Sequence, residues 1–426
     1  MNIYEELQWR GLVADCTDAT ELTKRLAAGP VTLYCGFDPT ADSLHVGNLV
    51  PLLALRRFQL AGHHPIAVAG GATGAIGDPS GKTGERTLLT PELLQANIAQ
   101  EKEQLRRWLD FDSKTNPARL LDNAAWTAHV SFLDFLRDIG KHFSVNQMIA
   151  KESVRARMED RETGISFTEF SYMLLQAFDF YVLRRDHQCE LQIGGSDQWG
   201  NITAGIELGR RLRSRDLHGI TCPLLTKADG TKMGKTASGA IWLDPKRTSP
   251  YRFYQYWINL DDDDAGRCLL RLTDLTLDET AAFDAKRAAA PAARDTQKRL
   301  AEELTRLVHG DAGLAAARQA TDIFFGAEIT SLDDQSLGEI FADVPSHEFA
   351  RTTLDGDGLA LVEALKATGL AQSASAARRT IEQGGIYVNN RRIADAAHRL
   401  TAQDLAGTAT LVLRSGKKSY AVARFV

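Results

Sequence analysis

Cysteine is scarce in this chain and follows no pattern. The five thiols (Cys16, Cys35, Cys189, Cys222, Cys268) are odd in number, scattered and without a CxxC pair, which speaks against a disulfide framework and against a zinc site. Reduced thiols and no protein-bound metal are expected. No apolar run approaches the roughly 20 residues that a transmembrane helix needs. The opening MNIYEELQWR carries acids where a secretory leader would be basic and then apolar, so a cytoplasmic protein without a membrane partner is expected. Two nucleotide signatures are also missing. A dinucleotide fingerprint needs GxGxxG, but the glycines here fall at 70, 71, 74 and 77. A kinase or ATPase loop needs GxxxxGK[ST], and Gly77 to Thr83 is one residue short and carries Asp78 and Pro79, poor company for backbone donors wrapped around phosphate.

Excess charge is small overall, a formal −5 over 426 residues, but it is unevenly placed. Residues 359–426 hold ten Lys and Arg against four acids, a local balance of +6 that leaves −11 for the rest. A small basic tail on an acidic body suggests a polyanion-binding module appended to something else. The length admits two to four domains, with neither an internal repeat nor a low-complexity tract.

What is present is organised around residues 31–50, VTLYCGFDPTADSLHVGNLV. Val31 to Phe37 reads as a buried strand, Asp38-Pro39 breaks it, and Asp42 or Ser43 is placed to cap a helix that starts near Leu44 and runs to Gly62. A strand feeding a helix N-terminus favours an anion, because free N–H groups and the positive end of the dipole point over the turn. Gly47 removes the side chain that would keep a ligand off the backbone, and His45 and Asn48 share one face of the first turn. Taken alone, so short a pattern also fits a surface histidine beside a packing glycine.

PIAVAGG (65–71) is a second strand, of the continuous apolar kind found in parallel sheets covered on both faces. Strand, helix and strand make a βαβ unit and imply a doubly wound α/β domain, whose ligands bind beyond the carboxyl ends of the strands. The glycine-rich loop 70–86 places Asp78, Lys82 and Arg86 at that edge. Residues 1–29 and 91–160 read as mostly helical, and Lys151, Arg155, Arg157 and Arg161 form a basic group in helical register, expected as a solvated face. The helix 167–183 is apolar nearly all round, yet Tyr172, Gln176 and Asp179 form a polar stripe within it; a buried carboxylate and amide require partners, in an internal network or in a pocket for a small polar ligand. CELQIGGSDQWGNITAGIELGRR (189–211) repeats strand, glycine turn and helix, with Gly195, Asp197 and Gln198 at the turn. Residues 219–243 read as two strands around a loop with Lys232-Met233-Gly234-Lys235-Thr236, whose lysines suit a mobile clamp for phosphates.

The expected organisation is therefore a Rossmann-like catalytic domain over 1–245 with a helical insertion at about 110–160, an all-helical domain over 246–320, a linker over 321–357, and a small α+β module over 358–426. In that module GGIYVNNRRI reads as a strand with an Asn-Asn turn, preceded by a helix carrying Arg378-Arg379.

Taken together, the chain resembles the bacterial tyrosyl-tRNA synthetases, class I aminoacyl-tRNA synthetases, over essentially its whole length. The first class signature, HIGH in general form, appears as His45-Val46-Gly47-Asn48, and the second, KMSKS, as Lys232-Met233-Gly234-Lys235-Thr236. YCGFDPTADSLH, GGATGAIGDPSG, YMLLQAFD and LQIGGSDQWGN accompany them in that order. Asn48 stands where the general form has a second histidine, and Gly234 and Thr236 stand where it has serines. The C-terminal segment resembles an S4-type RNA-binding module.

The resemblance implies a tyrosine–tRNA ligase that activates L-tyrosine with Mg-ATP, releases pyrophosphate and transfers the tyrosyl group to the 3′-terminal adenosine of tRNA(Tyr), working as a homodimer. It places Thr40, His45, Asn48, Lys82, Arg86, Lys232, Lys235 and Thr236 at the phosphates. Asp78, Tyr172, Gln176 and Gln198 fall to the tyrosine backbone end, Tyr34 and Asp179 to its phenol, and Gly36, Asp38, Gly47, Gly195 and Asp197 to the rest of ATP. A nucleotide-dependent kinase built on the 77–83 loop would leave the 232–236 loop unexplained. A non-catalytic RNA-binding relative should have lost some of these charged positions, and all are present.

Overall fold

The apolar run after Pro30 becomes an interior strand of a six-stranded sheet. The computed structural model describes every residue except 1, 81–87, 160–163, 215, 237–238, 330–331, 343 and 417–418. The chain divides into two units, Met1–Arg247 with Asp261–Thr296, and Thr248–Leu260 with Gln297–Val426. In the first unit β1 (Asp15–Cys16), β2 (Thr32–Phe37), β3 (His64–Ala69), β4 (Arg119–Asp122), β5 (Cys189–Gly195) and β6 (His218–Cys222) lie in the order β1-β6-β5-β2-β3-β4. β2 to β6 run parallel, and β1 lies antiparallel along β6. The strand order reverses at β2, which has β3 on one side and β5 on the other, so the switch point of this doubly wound sheet falls at the carboxyl end of β2, at Asp38. From Pro65 to Ala69 every residue of β3 is buried, as expected where helices cover both faces.

The flanking helices begin on readable signals. Thr90 accepts from the Leu93 N–H ahead of Pro91 to start the helix Pro91–Leu105, and Ser166 accepts from the Glu169 N–H to start Phe167–His187, which closes on Gln188 in the left-handed region (φ 55). Phe180 and Leu183 of that helix pack on Tyr34, Ile66, Val68 and Cys189, which joins its polar stripe to the floor of β2.

Several elements differ from expectation. The first 29 residues hold two helices, Ile3–Trp9 and Ala19–Ala27, with β1 between them. Neither Asp42 nor Ser43 caps the helix Leu49–Leu60: His45 caps a short 3-10 turn, Val46–Asn48, that leads into it, and the helix itself follows Asn48 without a side-chain cap. Asp42 instead pairs with Arg247, and the Ser43 hydroxyl turns inward. Residues 110–160 are not wholly helical, because Arg119–Leu120–Leu121–Asp122 is the edge strand β4, too short for a periodic signal. The first half of the expected 219–243 hairpin is β6 of the main sheet, and the second signature has its own small ladder, Lys235–Thr236 against Gly239–Ala240. The basic group near 155 is a solvated face only in part, with Arg155 exposed. Arg157 is 2% exposed, pairs with Glu169 at 2.9 Å and donates to the Gly164 carbonyl, and Lys151 donates to Thr203; Arg161 lies outside the described residues.

The expected all-helical domain over 246–320 is not one body. Asp262–Leu272 and Leu277–Ala289 belong to the first unit, where Arg10 donates to the carbonyls of Leu270, Thr273 and Leu275, whereas Pro250–Ile258 belongs to the second. Helical periodicity marks a helix but not the core that receives its apolar face. Residues 321–357 do not form a linker either. They contribute a helix, Asp334–Ile340, and a strand, Ser346–Phe349, that pairs in parallel with Ser419–Phe425 at one edge of a five-stranded sheet. Asn389 and Asn390 both adopt positive φ (49° and 64°) in the predicted turn between Ile386–Val388 and Arg391–Ile393. Asn390 then donates to the Ile323 and Ala327 carbonyls, within the same unit.

Candidate active site

A cleft of 510 Å³ opens at the carboxyl ends of β2, β3 and β5, within the size range of small-molecule sites. Its floor is set by β2 and the helix Phe167–His187. Tyr34 is 2% exposed, and its hydroxyl has no hydrogen-bond partner among the described residues. Nearby, Asp179 is 4% exposed, and its carboxylate accepts from Trp126 Nε1 at 2.8 Å and Asn123 Nδ2 at 2.9 Å. Burial, opposed by those two donors, pushes the Asp179 carboxyl up to about 7. Each carboxylate oxygen retains a lone pair, so a third donor entering the cleft would be accepted.

One wall carries carboxylates and amides. Asp78 follows Gly77, whose φ of 86° demands glycine, and accepts from Gln198 Nε2 at 2.5 Å and from the Ser80 N–H at 2.9 Å. Asp38 accepts from Tyr172 Oη at 2.8 Å and from Thr73 Oγ1 at 2.7 Å. A Cβ at Gly70 would fall 2.1 Å from an Asp38 oxygen, so this glycine makes room for that carboxylate. Gln176 Oε1 and Gln192 Oε1 are buried without partners among the described residues and also line the cleft. Burial and the nearby Asp78 raise the Asp197 carboxyl, while Lys232 acts the other way.

The mouth is formed by the two signatures. His45 Nδ1 accepts from the Gly47 N–H at 3.0 Å, so a neutral imidazole carries its proton on Nε2 and presents a donor. Burial, and after it the Lys235 ammonium, hold His45 below its usual range and therefore neutral at pH 7. Asn48 Oδ1 accepts from the His45 N–H at 2.9 Å and closes a capping box, which leaves the amide NH2 as its donor end. The second signature docks on the first: Val46 N–H donates to the Ile241 carbonyl, and Ile241 N–H to the Gly234 carbonyl. Met233 is 4% exposed, with Cys268 Sγ 3.8 Å from its sulfur, while Lys232 and Lys235 are exposed and line the opening.

The cleft thus gathers Tyr34, Asp78, Tyr172, Gln176, Asp179 and Gln198 with Gly36, Asp38, Thr40, His45, Gly47, Asn48, Gly195, Asp197, Lys232 and Lys235. Lys82 and Arg86 lie outside the described residues, and Thr236 is placed only by its backbone pairing with Gly239. Sequence reasoning missed Asn123 and Trp126, which hold Asp179, Asn201, which approaches Asp78 at 3.5 Å, and Thr73. Asn123 and Trp126 follow a four-residue strand that carried no signal.

Residues 26–326 match the family described as class I tRNA synthetases (W and Y), and residues 336–423 match the tyrosine–tRNA ligase SYY-like C-terminal domain. The chain is 57% identical to the tyrosine–tRNA ligase of Opitutus terrae over 426 residues, covering all of both chains, and 52% identical to that of Bacillus caldotenax over 428 residues, again covering all of both. Among solved structures it is similar to a C-terminally truncated mitochondrial tyrosyl-tRNA synthetase from Aspergillus nidulans, with a TM-score of 0.67 and 30% identity over 76% of this chain and 94% of that one. A tyrosyl-tRNA synthetase from Archaeoglobus fulgidus shares the fold at 16% identity, with a TM-score of 0.56 over 74% of this chain and all of that one. With both signatures on one cleft and a family match over most of its length, the chain belongs to the class I tRNA synthetases, in the tyrosine–tRNA ligase family.

Proposed function

We propose that the cleft binds L-tyrosine at its floor and Mg-ATP at its mouth, and that the residues gathered there divide the labour of tyrosine activation. The observation that carries this reading is the floor itself, where the unpartnered Tyr34 hydroxyl and the Asp179 carboxylate face the same cleft in otherwise apolar surroundings. A phenol satisfies both, donating to Asp179 and accepting from Tyr34. Asp78, Tyr172, Gln176 and Gln198 then meet the ammonium end of the amino acid. Its carboxylate faces the α-phosphorus of ATP.

The nucleophile is already ionised, so the first step needs no base. A tyrosine carboxylate oxygen bonds to the α-phosphorus, the bond to the β-phosphate oxygen breaks, and pyrophosphate leaves with the electron pair. The protein supplies position and positive charge where negative charge gathers: Nε2–H of His45, the Asn48 amide, Thr40, Lys232 and Lys235, with Thr236 and with Lys82 and Arg86 from the 70–86 loop. Gly36, Gly47, Gly195 and Asp197 border the nucleoside, and the magnesium ion arrives on the ATP phosphates. The tyrosyl group then passes from AMP to a hydroxyl of the 3′-terminal adenosine of tRNA(Tyr).

The C-terminal segment serves as an S4-like tRNA contact. Arg391 is paired with Glu328, and Arg392, Arg399 and Arg414 are engaged by carbonyls or rings, so the contact falls to exposed Lys366, Arg378, Arg379 and Arg424. Pairing of two copies is supported by Phe132, Leu133 and Leu136 on one helix, with Val145 after it, all large, apolar and exposed. Among the described residues no helix is long and apolar enough to cross a membrane, and a cytoplasmic location fits the substrates. Exchange of labelled pyrophosphate into ATP tests the reading: it should require tyrosine but not tRNA, and exchange with another amino acid, or without any, would overturn it.

A further inference from the structure

We propose that Gln104, which lies outside the cleft, is a positioning residue for tyrosine activation and acts on His45 through the backbone of Ser43 and Leu44. The helix Pro91–Leu105 lines no part of the cleft, yet it grips the segment between β2 and the first signature at both ends. Asn97 Nδ2 donates to the Pro39 carbonyl at 3.2 Å. Two helical turns later Gln104 Oε1 accepts from the Leu44 N–H at 2.9 Å, and the single proton of Ser43 Oγ is shared between the Leu44 carbonyl at 2.8 Å and Gln104 Oε1 at 3.3 Å. A spacing of seven residues places both amides on one face of the helix. All three side chains are buried, Asn97 at 2% and Gln104 and Ser43 at 7% exposure.

Gln104 also meets the point where the two signatures join. Ser43 Oγ accepts from the Asp244 N–H at 3.2 Å, and the Leu44 carbonyl accepts from the Leu243 N–H at 2.9 Å. The next residue along, His45, is fixed through Nδ1 on the Gly47 N–H, so any rotation of the Leu44–His45 peptide re-aims Nε2. Without an acceptor at 104, the buried Leu44 N–H must turn toward another partner. Among the described residues no hydrogen bond joins Gln104 to Tyr34 or Asp179 at the floor. The effect should therefore fall on the rate of adenylate formation and leave tyrosine binding alone.

This inference rests on reading His45 as a contact to the ATP phosphates. The test is single-turnover adenylate formation and tyrosine binding in the full chain for Gln104→Met, alone and combined with His45→Gly. Gln104→Met should slow activation about tenfold or more with tyrosine affinity within about twofold, and should cost less than about threefold once His45 is absent. Ser43→Ala removes the partner hydroxyl with minimal change of volume and should slow activation in the same direction, which keeps the test intact if the methionine variant folds poorly. Equal losses with and without His45, an unchanged rate in either variant, or a parallel fall in tyrosine affinity would overturn the positioning role. Absence of tyrosine-dependent exchange in the unaltered protein would overturn the reading of the site itself, and the role of Gln104 with it.

Discussion

Gly234 is seated on Val46. Its φ is +79°, and a Cβ added there would fall 3.1 Å from Val46 Cβ, so the loop of the second signature closes on the first through a residue that cannot carry a side chain without strain. The general form of this signature has serine at that position. Gly234→Ala should therefore impair the docked loop by about 1–2 kcal/mol, slowing activation roughly five- to thirtyfold with tyrosine affinity unchanged. Stopped-flow measurement of adenylate formation checks this, and an unaffected rate would show that the loop works undocked.

Lys235 is exposed at the mouth and acts on His45 only at a distance. Lys235→Ala should lower the activation rate by about a hundredfold or more, because a cation that meets charge developing on the leaving pyrophosphate contributes to the transition state alone. Tyrosine affinity measured by equilibrium dialysis should stay within about twofold; an equal loss there would make the lysine structural instead.

Glu101 is 2% exposed, neither carboxylate oxygen has a hydrogen-bond partner among the described residues, and burial followed by the nearby Asp38 holds its carboxyl well above its ordinary value of 4.5. A raised folded-state value means the folded protein binds the extra proton. The associated stability is full below the unfolded value and is lost as pH rises toward the folded one. Above about pH 4.5 the unaltered chain should thus lose up to about 1.4 kcal/mol per pH unit that Glu101→Gln does not lose. Urea midpoints for both proteins at pH 5.5 and 8 measure this, and parallel pH profiles would contradict it.

Much of this was legible in the sequence where motif and local structure coincide. The strand β2, the polar stripe of Phe167–His187 with Asp179, and the glycine turn after β5 with Gln198 lie where the residues alone suggested, because each belongs to or directly follows a strongly apolar element, whereas Tyr34 within β2 was marked only by the family resemblance. The supporting residues were not legible. Asn123 reaches Asp179 from 56 residues away, and Gln104 reaches Leu44 from 60, and no local pattern announces so remote a hydrogen bond. Residues 321–357 looked like a linker because their strand is only four residues long and their apolar side chains, such as Leu337 and Phe341, are buried against Val412 and Tyr420, far along the chain. Arg157 looked solvated because its partner Glu169 lies in the next helix.

With Asp179 as the proposed acceptor of the phenol, tyrosine binding should depend on pH. Its carboxyl stands near 7 in the free protein, and a phenol donor requires the ionised form. Protonation below that value competes with tyrosine, so affinity should fall by up to about tenfold per pH unit as pH drops below about 7 and level off above it. Titration of tyrosine binding between pH 5.5 and 8.5 should show this midpoint, and Tyr34→Phe should leave it in place. A flat profile would mean that the carboxyl is already ionised throughout.

Selectivity for tyrosine over phenylalanine should rest more on Asp179 than on Tyr34. Phenylalanine brings no donor, so it would strand the lone pairs of a buried carboxylate, whereas the Tyr34 hydroxyl is neutral and loses only one ordinary partner. Tyr34→Phe should accordingly reduce the ratio of exchange efficiencies by about 0.5–1.5 kcal/mol, roughly two- to twelvefold. Asp179→Asn has a further cost. Asn123 and Trp126 both donate to this carboxylate, so one end of an asparagine amide must face a donor with a donor, whichever way it is flipped. That clash should turn the amide out of place and lower the ratio by about a hundredfold or more, with tyrosine KM rising and that for phenylalanine little changed. If Asp179→Asn preserves the ratio while Tyr34→Phe collapses it, the neutral hydroxyl is the discriminator and the carboxylate serves only to hold Asn123 and Trp126.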